Sequence, residues 1–166
     1  MTPSVFIALG SNMGDSKNIL HRAIERLAQF STEPLAKSSF WQTSPVDCPP
    51  GSPPFVNAVV GLSPRPGETP ESLLKKLREL EKEFGRNPKV VINEPRRLDL
   101  DLISFGQEIR ASIELTLPHP RATQRRFVLQ PFAEIAPDLI LPGQTRSVAA
   151  LLAKLHTGEA LLRLGP

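Results

Sequence analysis

Asp99 and Asp101, two aspartates separated by one residue, are the strongest chemical feature of the sequence. Apolar and polar residues alternate from Arg97 to Ile103, which predicts a β-strand with both carboxylates on one face. Residues i and i+2 of a strand lie about 6.5–7 Å apart. Two carboxylates at that separation can share a pair of hard cations such as Mg²⁺, with phosphate oxygens and water as the other ligands. A solvated strand face with alternating charges explains the same pattern equally well, although aspartate is a poor strand former.

Basic residues near this strand are candidates for binding phosphate. Arg96 and Arg97 precede the aspartates, and Arg86 follows Gly85 at the predicted end of a helix. The densest basic cluster is Pro118-His119-Pro120-Arg121, followed by Arg125 and Arg126. Ordinary surface turns and solvated helix faces account for all of them, and the pattern alone favours that bland interpretation.

Nucleotide-binding loops of the common kinds are missing from the sequence. It contains neither G-x-x-x-x-G-K-[ST] nor G-x-G-x-x-G. The glycine-rich stretch from Gly10 to Asp15 follows a predicted strand, and a plain strand-to-helix turn explains it best. Asn57 is unusual, because an asparagine inside a strand needs a hydrogen-bond partner.

The elements that must position these residues follow from hydrophobic periodicity and capping signals. Thr69, Pro70 and Gly85 mark the start and end of the clearest helix. The predicted strands are Val5–Leu9, one ending near Trp41, Phe55–Leu62 and Arg97–Ile103. The predicted helices are Lys17–Phe30, one from Thr69 to Gly85, one from after Pro120 to Leu129, and Ser147–Leu155. This order predicts an α+β, ferredoxin-like sandwich with a mainly antiparallel sheet, helices on one face, and loops and ligands on the other.

Composition limits the class of protein. The 166 residues suit a single domain, 1–166, and the net charge of +3 with pI near 9.4 fits an anionic small substrate but is too weak to indicate nucleic acid. Cys48 is the sole cysteine, which favours a reducing, cytoplasmic compartment. The apolar run from Val5 to Leu9 is too short for a signal or membrane segment.

Taken together, the motifs resemble the 6-hydroxymethyl-7,8-dihydropterin pyrophosphokinase family of folate biosynthesis, over a region from about Val5 to Pro142. The order and spacing of the fragments carry the resemblance. They are Ala8-Leu9-Gly10-Ser11-Asn12, Phe55-Val56-Asn57-Ala58, Glu81 with Phe84-Gly85-Arg86, Pro95-Arg96-Arg97-Leu98-Asp99-Leu100-Asp101, Leu117-Pro118-His119-Pro120, Arg125-Arg126-Phe127-Val128-Leu129 and Glu134-Ile135-Ala136-Pro137.

The resemblance implies a ferredoxin-like fold and a magnesium-dependent enzyme that transfers diphosphate from ATP to the pterin's hydroxymethyl group and releases AMP. It implies two Mg²⁺ ions held by Asp99 and Asp101, with Arg86 and Arg96 acting on the phosphates during transfer. The pterin site implied by the family consists of Thr43, Pro45, Val46, Phe55, Asn57 and Phe127. The implied ATP and phosphate contacts are Glu81, Arg86, Arg96, Leu102, Thr116, His119 and Arg125.

The chain departs from the family's pattern at several positions. Asn93-Glu94 stands where the family's best-known pattern has a tryptophan and a glycine, and Arg78 stands where a glutamine helps hold ATP.

Two alternatives remain open on the sequence. A two-metal nucleotidyltransferase also holds metals on an Asp-x-Asp strand, but its Gly-Ser lies close before the aspartates. Here Ser11 and Asp99 are 88 residues apart (99 − 11). An RNA-binding ferredoxin-like module needs exposed aromatic residues on central strands, and the chain has no tyrosine. We therefore expect ATP and the pterin as partners, with no nucleic acid, no membrane and no obligate protein partner.

Overall fold

The computed structural model describes residues 3–12, 15–43, 54–85, 98–156 and 160–165. The strands are β1 Val5–Ser11, β2 Ala36–Lys37, β3 Trp41–Thr43, β4 Phe55–Leu62, β5 Asp99–Phe105, β6 Arg110–Ala111, β7 Thr116–Leu117 and β8 Leu161–Arg163. The α-helices are α1 Ser16–Leu27, α2 Pro70–Glu83, α3 Arg126–Ile135 and α4 Val148–Lys154, and short 3₁₀ helices cover Ala28–Phe30 and Ala122–Gln124.

The main sheet has the order β5-β1-β4-β3-β8, and every neighbouring pair is antiparallel. Strand β2 also pairs with β4, and β6 with β7 forms a separate hairpin. The chain order β1, α1, β3, β4, α2, β5 is the strand–helix–strand–strand–helix–strand unit of a ferredoxin-like fold. The predicted fold class is therefore confirmed.

One face of the sheet packs against α1 and α2 in a continuous apolar layer. Alternate strand residues supply it, because successive side chains point to opposite faces. The fully buried members from the sheet include Val5, Ile7, Val60, Leu62 and Leu100. Burial of each such side chain contributes about 1.5–3 kcal/mol relative to exposure.

Helix α2 begins and ends where the sequence predicts. The Thr69 hydroxyl accepts the Ser72 N–H at 3.1 Å, and the Ser72 hydroxyl accepts the Thr69 N–H at 2.9 Å. This reciprocal capping box satisfies two N–H groups that the first turn leaves without helical partners. Pro70 occupies the first turn, and Gly85 follows the helix with φ of 91°.

The second face of the sheet is also partly covered by helices, which corrects the prediction that helices lie on one face only. Helices α3 and α4 pack against Phe6, Val59 and Ile103. These three residues point to the face opposite the one that contacts α1 and α2. Because they are apolar, the part of the second face that they form must be covered. Helix α3 starts at Arg126, later than predicted, because the chain after Pro120 first forms a 3₁₀ helix.

Three strand boundaries also differ from the prediction. Strand β1 continues through Gly10 and Ser11, because both residues pair with β4. Strand β5 runs to Phe105, past a register shift opposite Phe6 and Ile7. Strand β3 begins at Trp41 instead of ending there. Among the described residues, no helix combines the length and apolar character needed to cross a membrane.

Candidate active site

Four neighbouring strands bring a predicted metal ligand and a predicted pterin contact into one row. Asp99 on β5 lies opposite Gly10 on β1, Gly10 lies opposite Asn57 on β4, and Asn57 lies opposite Trp41 on β3. Adjacent strands are about 4.8 Å apart, so the backbones of Asp99 and Asn57 are about 10 Å apart. Gly10, between them, carries no side chain. The surface between the carboxylate and the amide is therefore formed by backbone alone and leaves space above it.

Asp101 lies one row further along the same face. It pairs with Ala8, which pairs with Val59, a fully buried residue in the cluster that α3 covers. Asp101 is therefore at the boundary between the covered and the uncovered half of this face. Burial raises the pKa of its carboxyl above the usual range, and the negative charge of Asp99 raises it further.

The aspartate pair fits a hard divalent cation. Both side chains are half-buried, and a cation between them would relieve the repulsion that raises the pKa of Asp101. Within the described ranges there is no group of three or more histidine, cysteine, aspartate or glutamate side chains placed to hold a metal. Two carboxylates are thus the protein ligands that this part of the chain offers, and the other ligands would be substrate oxygens and water.

A buried amide occupies the other end of the row. The Asn57 Nδ2 donates to the Thr43 hydroxyl at 3.1 Å, and both residues are less than 9% exposed, at 6% and 7%. This bond supplies the partner that a strand asparagine needs. A Cβ built on Gly10 would lie 3.1 Å from the Asn57 Oδ1, so the glycine gives the amide its room. Phe55 lies opposite Thr43 on the same face.

His119 borders the aspartates from the segment after β7. The backbone N–H of His119 donates to the backbone carbonyl of Ile103 on β5 at 2.8 Å. The ring Nδ1 accepts the backbone N–H of Arg121 at 3.2 Å. With Nδ1 accepting, the proton of the neutral ring lies on Nε2, which is left as a donor. Burial lowers the pKa of His119 below its ordinary value, against the opposing charge of Asp101. The lowered pKa favours the neutral ring, in which Nε2 carries the proton.

Arg125 and Phe127 stand together at the start of α3. The Arg125 guanidinium carbon lies 5.4 Å from the centre of the Phe127 ring, a cation–π contact. Phe127 packs partly buried against the cluster beneath α3. The positive charge of Arg125 acts to lower the pKa of Asp101, so Arg125 interacts electrostatically with that carboxylate.

Three residues implied as ATP contacts lie away from this row. Leu102 is 3% exposed and packs in the layer beneath α1 and α2. Glu81 is 1% exposed and accepts the Leu100 N–H at 2.8 Å from the outer side of β5. Thr116 is exposed on the β6–β7 hairpin. Their nucleotide contacts remain predictions.

A polar network behind β3 was not predicted from the sequence. The Glu134 carboxylate on α3 accepts the Trp41 Nε1–H at 2.7 Å and the Ser39 N–H at 3.1 Å. Trp41 and Glu134 are 93 residues apart, so no local pattern signals their contact. The network ties α3 to the strand that carries Thr43.

Four predicted site residues lie outside the described residues. They are Pro45, Val46, Arg86 and Arg96.

Comparison with known proteins gives consistent matches. The sequence model of the family described as 7,8-dihydro-6-hydroxymethylpterin-pyrophosphokinase (HPPK) matches residues 6–137. A 2-amino-4-hydroxy-6-hydroxymethyldihydropteridine pyrophosphokinase of Haemophilus influenzae is 35% identical over 164 residues, which cover 98% of this chain and 99% of that protein. The folic acid synthesis protein fol1 of Pneumocystis carinii is 36% identical over 152 residues, covering 92% of this chain and 20% of that protein.

The fold has a counterpart among solved structures. The Plasmodium falciparum HPPK-DHPS structure with pteroate aligns with a TM-score of 0.67 and 11% identity, over 93% of this chain and 44% of that chain. The chain thus spans about a fifth of the Pneumocystis protein and under half of the Plasmodium one. At this identity the structural match shows the fold alone.

Proposed function

The chain belongs to the 7,8-dihydro-6-hydroxymethylpterin-pyrophosphokinase family, and we propose that it transfers a diphosphate from ATP to the hydroxymethyl group of 6-hydroxymethyl-7,8-dihydropterin. The products are AMP and the pterin diphosphate, a step of folate biosynthesis. The observation that carries the proposal is the row Asp99–Gly10–Asn57, which joins a carboxylate suited to a phosphate-bound metal with an amide suited to a planar heterocycle.

Asp99 and Asp101 are the proposed Mg²⁺ ligands, for two ions. Bound Mg²⁺ would neutralise phosphate charge and polarise the attacking hydroxyl. The aspartates orient the phosphates by fixing where that positive charge sits. Asp101 is a poor candidate for a general base, because a carboxylate that binds metal has little basicity left.

The pterin site is proposed around Asn57 and Thr43. The Asn57 amide offers a donor and an acceptor to the edge of the ring system, and Thr43 holds its orientation through the 3.1 Å bond. Phe55 and Phe127 supply aromatic faces for stacking, worth about 0.5–1.5 kcal/mol for an aromatic pair beyond burial. Pro45 and Val46, outside the described residues, complete the proposed pocket.

The phosphates are proposed to be held by donors around the aspartates. His119 donates through Nε2, and Arg125 adds a fixed positive charge close to Asp101. Arg86 and Arg96, from the segment outside the described residues, would stabilise charge as the diphosphate moves. Such preorganised donors lower the barrier because they need no reorientation during transfer.

Residues 1–166 are proposed to act as one domain in the cytoplasm. ATP is abundant there, and the sole cysteine, Cys48, needs no oxidising compartment.

One reaction tests the proposal directly. Protein, ATP, Mg²⁺ and the hydroxymethyl pterin are mixed, and the nucleotide products are separated. AMP in proportion to pterin diphosphate is expected, with turnover abolished in Asp99→Ala and Asp101→Ala. Formation of pyrophosphate would indicate nucleotidyl transfer, and formation of ADP would indicate transfer of a single phosphate. Normal activity in either folded variant would refute the metal assignment.

A further inference from the structure

Among the described residues, β5 is the terminal strand of the sheet, with β1 on its inner side. A terminal strand has backbone N–H and C=O groups on its outer edge that no strand pairs. At Leu100 both groups are met by side chains from α2. The N–H donates to the Glu81 Oε2 at 2.8 Å, and the C=O accepts from the Arg78 Nη1 at 2.9 Å. The Arg78 Nη1 also donates to the Glu81 Oε1 at 2.8 Å, which closes an edge clamp of Arg78, Glu81 and Leu100.

The edge clamp acts on the two peptide groups between the aspartates. The Leu100 N–H belongs to the peptide that joins Asp99 to Leu100, and the Leu100 C=O belongs to the peptide that joins Leu100 to Asp101. Rotation of either peptide plane would tilt the adjacent Cα–Cβ bond. By holding both planes from the far side of the strand, the clamp restrains the directions of both carboxylates on the opposite face.

The chemistry of the clamp exceeds what packing requires. The Glu81 side chain is 2% exposed and lies among fully buried leucines such as Leu77 and Leu100, whereas the Arg78 side chain is 45% exposed. A buried carboxylate carries a desolvation cost, and an apolar side chain of similar size often gives equal or better stability. A charge-assisted bond to a backbone N–H, however, is short and directional. A charged pair at this site therefore suits fixing geometry better than adding stability.

We propose that Arg78 and Glu81 are positioning residues that hold the backbone between Asp99 and Asp101 in the conformation the metal ligands need. The inference rests on the proposed function, because it takes the two aspartates as ligands of the phosphate-bound Mg²⁺. In this proposal Glu81 binds the backbone of β5, in place of the nucleotide contact that the family resemblance implies.

The first arm of the test uses no substrate. Backbone amide hydrogen exchange is measured on the full chain for wild type, Glu81→Leu, Glu81→Gln and the control Glu79→Gln, which removes an exposed carboxylate from the same helix. The Leu100 amide is expected to exchange at least about tenfold faster in Glu81→Leu, because its acceptor is gone. Glu81→Gln retains an oxygen acceptor and is expected to keep most of the protection. The control should match wild type.

The second arm measures steady-state AMP formation. In Glu81→Leu and Arg78→Leu, kcat is expected to fall about 10- to 100-fold, as for the loss of a residue that orients metal ligands. The Mg²⁺ concentration for half-maximal rate should rise, and the pterin KM should change less than about twofold. Arg78→Leu carries this arm should Glu81→Leu fail to fold, because the Arg78 side chain is 45% exposed and lies outside the apolar layer.

Two results would overturn the proposal: unchanged Leu100 exchange in folded Glu81→Leu, or a loss confined to the KM for ATP, which would make Glu81 a nucleotide contact. Absence of AMP from the wild-type protein would reject the proposed function, and the exchange arm would still decide whether the clamp holds β5.

Discussion

Gly10 separates the proposed metal ligand from the proposed pterin amide, and Gly10→Ala is the sharpest test of that geometry. The backbone there is an ordinary extended strand, so alanine fits it without strain. Replacing glycine by alanine at a compatible position stabilises by about 0.4–1 kcal/mol through the unfolded chain. The new Cβ would lie 3.1 Å from the Asn57 Oδ1, a contact tight enough to displace the amide by a few tenths of an ångström. These two effects oppose each other in stability.

We therefore expect Gly10→Ala to change pterin binding while leaving the stability of the fold nearly unchanged. The displaced amide would no longer be well aligned for one neutral hydrogen bond to the pterin. Loss of such a bond weakens binding by about 0.5–1.5 kcal/mol, which corresponds to a rise of about 2- to 13-fold in the pterin KM. The ATP KM should change less than about twofold, because the proposed phosphate site lies at the other end of the row. The melting temperature should stay within about 4 °C of wild type, since 1 kcal/mol shifts a protein of this size by about 2–4 °C.

Gly61→Ala is the matched control for this experiment. Gly61 lies on the same face of β4, but in the half covered by helices, and its added Cβ would lie 2.8 Å from the Phe6 ring and 3.0 Å from the Pro3 Cβ. Overpacking of this kind costs about 1–3 kcal/mol. We expect a lowered melting temperature with an unchanged pterin KM. An unchanged pterin KM in Gly10→Ala, or a melting temperature as low as that of Gly61→Ala, would refute the assignment of Gly10 to the floor of the site.

Three further predictions test the site. Asp101→Asn should abolish turnover yet raise the melting temperature of the ligand-free protein at pH 7. The raised pKa means that the folded wild type gains stability as pH falls through it, so the advantage of the variant should vanish below the ordinary value of 3.8. A constant difference across pH would contradict this. Asn57→Ala should weaken pterin binding far more than ATP binding, as measured by titration of each ligand, and equal losses would count against the pocket. Glu134→Ala should change the fluorescence of Trp41, the sole tryptophan, because its indole N–H loses an acceptor at 2.7 Å, while an unchanged spectrum would show that the contact does not form in solution.

Local sequence signals predicted the elements that carry the site. The span Phe55–Leu62 is reproduced without change, because Phe55, Val56, Val59 and Val60 favour a strand and prolines lie just outside both ends of the span. Thr69, Pro70 and Gly85 likewise set the ends of α2 through short-range capping. The leucine–aspartate alternation of β5 placed both carboxylates on the face opposite the Leu100 layer, and the buried and half-buried residues of that strand confirm it.

Features that depend on distant contacts could not be read in this way. Strand β1 extends through Gly10, a weak strand former, because β4 and β5 pair with it on both sides. Glu81 reaches the backbone of Leu100 only because β5 is at the edge of the described sheet. The periodicity of the sequence does not predict the order of the strands. The cover that α3 gives to Phe6 and Val59 depends on the return path of the chain after β7.

The division of one sheet face into two halves explains how a polar site coexists with a small core. Val59 and Phe6 lie under α3, and Asn57 and Gly10 lie beyond it, although all four residues are on the same face of two adjacent strands. Asp101 sits at the boundary, where burial raises its pKa. Moving it one row inward, to the position of the buried Ile103, would bury a carboxylate without a partner. At this boundary Asp101 is close enough to Asp99 for their mutual repulsion to favour a cation, and it is still exposed enough for a cation to reach it.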